Sequence, residues 1–291
     1  TPFRGGLTVV LPRVLTALVL GPLFLWVLYL GSIPFLIFMG TLILLGLWEF
    51  HSMAEAGGHA NQSVTGIAAA LLVTLSLLFP GLRGDAPFCA QAPAFSLTLA
   101  AALMIFRELG RSDKSLSMLR MAMTCAGVML IAWPLGGFIL LREARGATPE
   151  LFHAGRSAAF FLVALIWTQD TAAWAVGMTL GKHRLAPQVS PKKSWEGAVG
   201  GLLAAVLVSL FLREGWMKSL FGRGETVLVA IVLGILAQAS DLAESLFKRC
   251  FGVKDSSGLL PGHGGILDRF DSFLLSGPVL YFYLISVGRI L

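Results

Sequence analysis

The chain has 291 residues, of which 56% are apolar (A, V, I, L, M, F, W, Y or C) and only 13% charged, about half the ~25% charge of soluble domains. So few charges cannot cover a water-facing surface, and such apolar content is the opposite of a disordered chain, so both classes are excluded. The formal net charge of +6, from 22 Lys plus Arg against 16 Asp plus Glu, fits basic loops beside anionic lipid and carries no nucleic-acid signature.

A membrane-crossing helix needs about 20 mainly apolar residues. Nine runs are candidates, at roughly 10–30, 33–50, 64–82, 90–106, 119–141, 157–180, 197–212, 226–247 and 270–290. The fourth and seventh are the weakest, and the seventh, GAVGGLLAAVLVSLFL, is short and Gly-rich. This predicts an all-α polytopic integral membrane protein with about nine transmembrane helices. The first run is expected to stay as a helix rather than to be a cleaved signal. Nine spans put the N-terminus and the even-numbered loops on one side. Most Lys and Arg fall there, so a cytoplasmic N-terminus and an outward C-terminus are expected. The 51–63 loop, with no Lys or Arg, runs against that trend. The chain shows no internal repeat, and Cys89, Cys125 and Cys250 have no spacing that suggests a disulfide framework or a zinc site.

Residues 1–156 read as helices for packing and dimer contact. Arg13 and Thr16 lie near the mouth of the first span, Arg13 as a headgroup anchor. Glu49 and His51 close the second span in WEFH and read as an interfacial helix end with an aromatic anchor. Arg107 to Lys114 reads as a solvated charged loop.

Residues 157–291 read as the catalytic region, with cytoplasmic loops at 181–196 and 248–269. Asp170 sits inside the apolar stretch ALIWTQDTAAWAVGMTLG. An acid at membrane depth costs at least ~2.5 kcal/mol, so it faces a wet cavity or a partner, and function is the default reading; a structural ion pair is the alternative. In the next loop Ser190, Lys192, Lys193, Ser194 and Glu196 form a basic run against a helix start. Free N–H groups and adjacent lysines there suit a phosphate, although a positive-inside loop accounts for the run equally well. In QASDLAESLFKR, Asp241, Glu244 or Ser245, and Lys248 recur at helical spacing and share a face. Lys254-Asp255, His263-Gly264-Gly265 and Asp268-Arg269-Phe270-Asp271 follow, with Asp268 and Asp271 on one side of a helix start.

The carboxylates of Asp241 and Asp268, with Asp271 and Glu244 beside them in sequence, suit a hard cation such as Mg²⁺ that also bridges phosphates. Lys192, Lys193, Lys248, Lys254, Arg249 and Arg269 suit phosphate oxygens. The glycines around His263 allow close backbone approach. Together these point to phosphoryl or nucleotidyl transfer at a membrane surface, which is mostly positioning and charge neutralisation. An attacking phosphate is already largely ionised at neutral pH. No general base is then needed, and His263 reads as a structural or substrate-contact residue.

The stretch from Ser245 to Asp271, SLFKRCFGVKDSSGLLPGHGGILDRFD, resembles the signature of the phosphatidate cytidylyltransferases (CDP-diacylglycerol synthases). DTAAWAVG from Asp170, SPKKSWEG from Ser190, RVLTAL at Arg13 and WEF at Trp48 are also similar to that family. The resemblance is strong in the second half and weak from 51 to 156. It implies transfer from CTP to phosphatidate, giving CDP-diacylglycerol and pyrophosphate for phospholipid synthesis. It implies Mg²⁺ held near Asp241 and Asp268, with a second cation such as K⁺ as an option, and a homodimer among inner-membrane lipids of bacteria, with the active site facing the cytoplasm. Lys248, Arg249, Lys254 and Arg269 join the two acids as catalytic candidates. Ser190, Lys192, Lys193, Ser194, Glu196, Asp170, Ser245, Asp255, His263, Gly264 and Gly265 are substrate-binding candidates, and Asp271 and Glu244 are further metal candidates. One departure is Gln238-Ala239-Ser240-Asp241, where the family usually has glycine at the third position. The alternatives are a CTP-dependent transferase for another lipid acceptor and a cation-coupled transporter, which would predict inverted repeats.

Overall fold

The computed structural model of the chain describes residues 4–77, 87–260 and 264–291. Its helices are α1 (Arg4–Leu30), α2 (Ser32–Ala56), α3 (Ser63–Ser76), α4 (Pro87–Leu109), α5 (Ser117–Gly127), α6 (Trp133–Glu143), α7 (Ala154–Leu180), α8 (Trp195–Leu212), α9 (Arg223–Cys250), α10 (Leu267–Phe270) and α11 (Phe273–Ser286). A wide helical turn, Val128–Ala132, joins α5 to α6. Among the described residues six stretches are long and apolar enough to cross a membrane: Ser32–Ala56, Gln91–Leu109, Ser117–Glu143, Pro149–Leu180, Trp195–Gly215 and Arg223–Cys250. Shorter apolar helices at Leu18–Leu30, Ser63–Ser76 and Phe273–Ser286 fall on the other three predicted runs. The chain is therefore a helical membrane protein.

One departure from an all-helical chain lies in the loop after α7. Strands β1 (Arg184–Ala186) and β2 (Ser190–Ser194) pair antiparallel, Arg184 with Ser194 and Ala186 with Ser190. Pro187 opens the turn between them, where its fixed φ suits a reversal.

The chain forms two compact units that interleave along the sequence. The first comprises Thr1–Ile139 and Lys248–Phe270, the second Leu140–Phe247 and Asp271–Leu291. In the first, Phe35 and Phe138 meet edge to face with ring centroids 5.9 Å apart, and Phe24 meets Phe270 at 5.5 Å. This unit also buries a polar cluster. Arg120 forks onto both carboxylate oxygens of Glu108 at 2.9–3.1 Å, and Gln62 donates to the same carboxylate at 2.7 Å. The expectation of a solvated loop from Arg107 to Lys114 is thus corrected at Glu108, which is buried because its guanidinium partner is buried with it. Lys114 turns back to donate to the carbonyls of Glu108 and Leu109 at the end of α4.

In the second unit the Gly-rich α8 packs on α7. A Cβ at Gly201 would stand 2.8 Å from the Gln169 carbonyl oxygen and 2.9 Å from the Ala173 Cβ, so the two backbones approach as only small residues permit. Two glutamine amides, Gln169 buried and Gln238 half-buried, then lace three helices together. Gln169 of α7 donates to the Gly234 carbonyl of α9 at 2.9 Å, and Gln238 of α9 donates to the Ala198 carbonyl of α8 at 3.0 Å. Ser194 caps α8, its hydroxyl accepting from the Gly197 N–H at 3.2 Å.

Gly201→Val is expected to lower stability by about 1–3 kcal/mol through overpacking. Thermal unfolding in detergent reads this, with Gly224→Ala as comparison, since no atom lies within 4 Å of a Cβ there. Equal midpoints for the two variants would contradict this account of α7–α8 packing.

Candidate active site

The predicted site residues fall into two clusters, one in each unit. In the first unit, Asp268 is the hub. Lys248 donates to its Oδ1 at 2.6 Å, with both side chains largely withdrawn from solvent. Its Oδ2 accepts from the Gly265 N–H at 2.8 Å, the Ser256 N–H at 3.1 Å and the Ser256 hydroxyl at 3.0 Å. Burial alone would raise the Asp268 carboxyl, but the Lys248 ammonium and these two amides outweigh it and hold the group below its usual range.

The same segment is tied to a residue that sequence reading placed elsewhere. Glu49 and His51 are not an interfacial helix end: both are buried, Glu49 completely. The Glu49 carboxylate accepts from the Ser256 and Ser257 hydroxyls at 2.9 and 2.6 Å, and from the Ile266 and Leu267 N–H groups at 2.8 Å each. A Cβ on Gly265 would lie 2.6 Å from both Glu49 oxygens and 1.9 Å from the Ser256 hydroxyl oxygen, so the segment closes only around glycine. Gly264 beside it takes φ +79°, a left-handed conformation that side chains rarely adopt. The one sequence signal for Glu49 was its WEF context; its partners lie more than 200 residues away.

The other candidates in this unit are less enclosed. Arg249 is exposed and donates to the Val253 carbonyl at 2.9 Å, while Lys254, Asp255 and Arg269 are exposed. His263 lies outside the described residues, as does the side chain of Arg13.

The second unit gathers the remaining acids. Asp241 of α9 pairs with Lys193 of β2. Asp170 of α7 is exposed and lies within electrostatic reach of both. Asp271 is close enough to Asp241, Glu244 and Asp170 to feel all three charges. Glu244 is fully buried and Ser245 is buried. The hydroxyl of Ser240, where the resembled family has glycine, donates to the Asp271 carbonyl and so links α9 to the chain just before α11. The serine therefore adds a tie beside the acids.

The hairpin positions its lysines by strand alternation. Lys193 turns to Asp241, whereas Lys192, one residue earlier, is exposed. Ser190 is half-buried at the start of β2. Glu196, a substrate-binding candidate, accepts from His183 Nδ1 at 2.6 Å and from the Lys182 and His183 N–H groups at 3.1–3.3 Å. In this structure it anchors the approach to the hairpin.

The donor set suits a hard cation: carboxylate oxygens, with a lysine nitrogen balancing Asp241. No three His, Cys, Asp or Glu side chains among the described residues converge to enclose a metal. Mg²⁺ does not require that, since it is usually held by one or two carboxylates plus water and substrate phosphates.

Residues 11–287 match the sequence profile described as the Cytidylyltransferase family. The chain is similar to the phosphatidate cytidylyltransferase of Staphylococcus epidermidis, 34% identical over 94% of this chain and 98% of that protein. It is also similar to proteins of the same name from Brucella suis, 33% identical over 93% and 92% of the two chains, and from Staphylococcus saprophyticus, 33% identical over 94% and 99%.

Ser240→Ala removes the hydroxyl tie to Asp271 and is expected to cost about 1 kcal/mol of stability. Thermal unfolding of the purified variant measures it; a midpoint equal to that of the parent would mean the tie contributes nothing.

Proposed function

This chain belongs to the cytidylyltransferase family, and we propose that it transfers CMP from CTP to phosphatidate, giving CDP-diacylglycerol and pyrophosphate, in phospholipid biosynthesis. The observation that carries this reading is the Lys193–Asp241 pair with Asp170, Glu244 and Asp271 around it. A lysine ammonium able to meet phosphate, and hard carboxylate oxygens, stand together in a chain whose helices are apolar enough to lie in lipid.

The reaction is an in-line displacement. An oxygen of the phosphatidate phosphate bonds to the α-phosphorus of CTP as the bond from that phosphorus to the β-phosphate oxygen breaks, and pyrophosphate leaves with the electron pair. The attacking phosphate arrives ionised, so no side chain need remove a proton. Lys192 and Lys193 on β2 receive phosphate oxygens, with Ser190, Ser194 and Glu196 shaping the hairpin. Asp241 and Asp268, with Asp271 and Glu244 as further acids, would hold Mg²⁺ through carboxylate oxygens, and Asp170 orients the acidic group. When bound, the ion would supply charge neutralisation for the triphosphate and the departing pyrophosphate. Lys248 fixes Asp268 in the signature segment. Arg249, Lys254 and Arg269 neutralise triphosphate and phosphatidate, and Ser245, Asp255, His263, Gly264 and Gly265 are the further substrate-binding residues.

The wider reading has nine spans, a cytoplasmic N-terminus and an outward C-terminus in a bacterial inner membrane. The chemistry sits at the cytoplasmic surface, because CTP comes from water and phosphatidate from the leaflet. The protein acts as a homodimer, with residues 1–156 supplying packing and dimer contact and a second cation such as K⁺ assisting.

Pyrophosphate release by the purified protein, with CTP and Mg²⁺, tests the reaction. Release that needs both phosphatidate and Mg²⁺ supports it; no release from folded protein overturns it. Asp241→Asn is expected to lower turnover by about 10²-fold or more while the protein remains folded, and near-parental turnover at saturating Mg²⁺ would remove Asp241 from the site. His263→Ala should lose far less than Asp268→Asn. Equal losses would refute the argument that no base is needed.

A further inference from the structure

Glu49 is the one carboxylate among those described that is completely buried in the first unit and hydrogen-bonded only to the signature segment. A carboxylate out of water is costly unless its lone pairs are met by donors. Its two oxygens offer about four acceptor sites, and two hydroxyls and two backbone amides occupy them. Those donors come from both ends of the segment, Ser256–Ser257 and Ile266–Leu267.

The neighbouring amide, Gly265 N–H, points instead to Asp268. Two carboxylates therefore grip one three-residue strip, Glu49 through residues 266 and 267, Asp268 through residue 265. The Ser256 hydroxyl stands between them, 2.9 Å from Glu49 and 3.0 Å from Asp268. A hydroxyl has one hydrogen to donate, so Ser256 shares it between the two acids and couples their positions. Removing the carboxylate alone would leave these two amides and two hydroxyls without an acceptor, so the arrangement of these residues depends on it.

We propose that Glu49 is a positioning residue for nucleotidyl transfer, holding residues 256–257 and 266–267 and, through the Ser256 hydroxyl, the carboxylate of Asp268. The inference rests on the reading of the chain as a CTP-dependent transferase. Glu49 does not touch the reacting groups; it acts through Asp268.

The test uses the full chain in detergent, with Glu49→Gln, Ser256→Ala and Ser257→Ala. Ser257→Ala removes one bond to Glu49 without touching Asp268. Backbone hydrogen exchange over residues 252–270, thermal unfolding, and kcat and KM for CTP are measured on each. Glu49→Gln and Ser256→Ala are expected to remain folded and to lower kcat by about 10–100-fold, the usual range for residues that orient a site from behind. KM for CTP should change much less, and exchange at residues 265–267 should quicken by about tenfold. Ser257→Ala should lose clearly less kcat than Ser256→Ala. Parental kcat in Glu49→Gln, lost kcat with unchanged exchange, or equal losses in the two serine variants would each overturn the proposal. If Glu49→Gln does not fold, the serine pair decides. If the parent transfers nothing to phosphatidate, the functional reading fails; faster exchange in Glu49→Gln would still support the anchor, and unchanged exchange would overturn that as well.

Discussion

An ionised carboxylate inside an apolar helical bundle must be met by donors or by a cation, and the arrangement of the signature segment follows from how that condition is satisfied at Glu49. Four donors surround it, and they belong to one stretch of chain. Gly265 is tied to this constraint, since a Cβ there would displace the acceptor itself. Asp268 is tied to it through Ser256, and Lys248 through Asp268. Residues 256–257 and 265–268, separate in the sequence, are thereby held together.

The acids of the second unit meet the same requirement differently. Asp268 is surrounded by a lysine, two amides and a hydroxyl, a closed set of partners. Asp271 instead lies within reach of the charges of Asp241, Glu244 and Asp170, with Lys193 as the cation on Asp241. Like charges held side by side favour any added positive charge. That contrast separates an acid enclosed by donors, Asp268, from acids that stand beside one another. The glutamine bonds and the close glycine contact that hold α7, α8 and α9 are what keep the acidic group in place.

The family relationship and the geometry bear on different questions. Relatives matching more than nine-tenths of the chain speak to the reaction. The geometry speaks to how side chains divide the work. Of the residues singled out as substrate-binding, Glu196 serves the hairpin and Ser194 caps a helix. Lys192 and Lys193, adjacent in sequence, part company because a strand sends neighbours to opposite faces.

Composition and periodicity by themselves determined that this is a helical membrane protein, since 56% apolar residues with 13% charge allow little else. The sequence also showed where acids, lysines and glycines gather at fixed spacing, since they stand out against apolar runs. It could not show Glu49 as more than a helix-end acid, since its partners are over 200 residues distant and hydrogen bonds of that span leave no local pattern. Nor could it separate Glu108 from its solvated-looking neighbours, because burial of an acid depends on Arg120, which another helix brings. The 181–196 loop became a hairpin through pairing that local apolar periodicity does not record. Tertiary structure alone decided which carboxylates are enclosed by donors and which stand beside other acids, because solvation and charge depend on what the fold brings near rather than on what the chain places next.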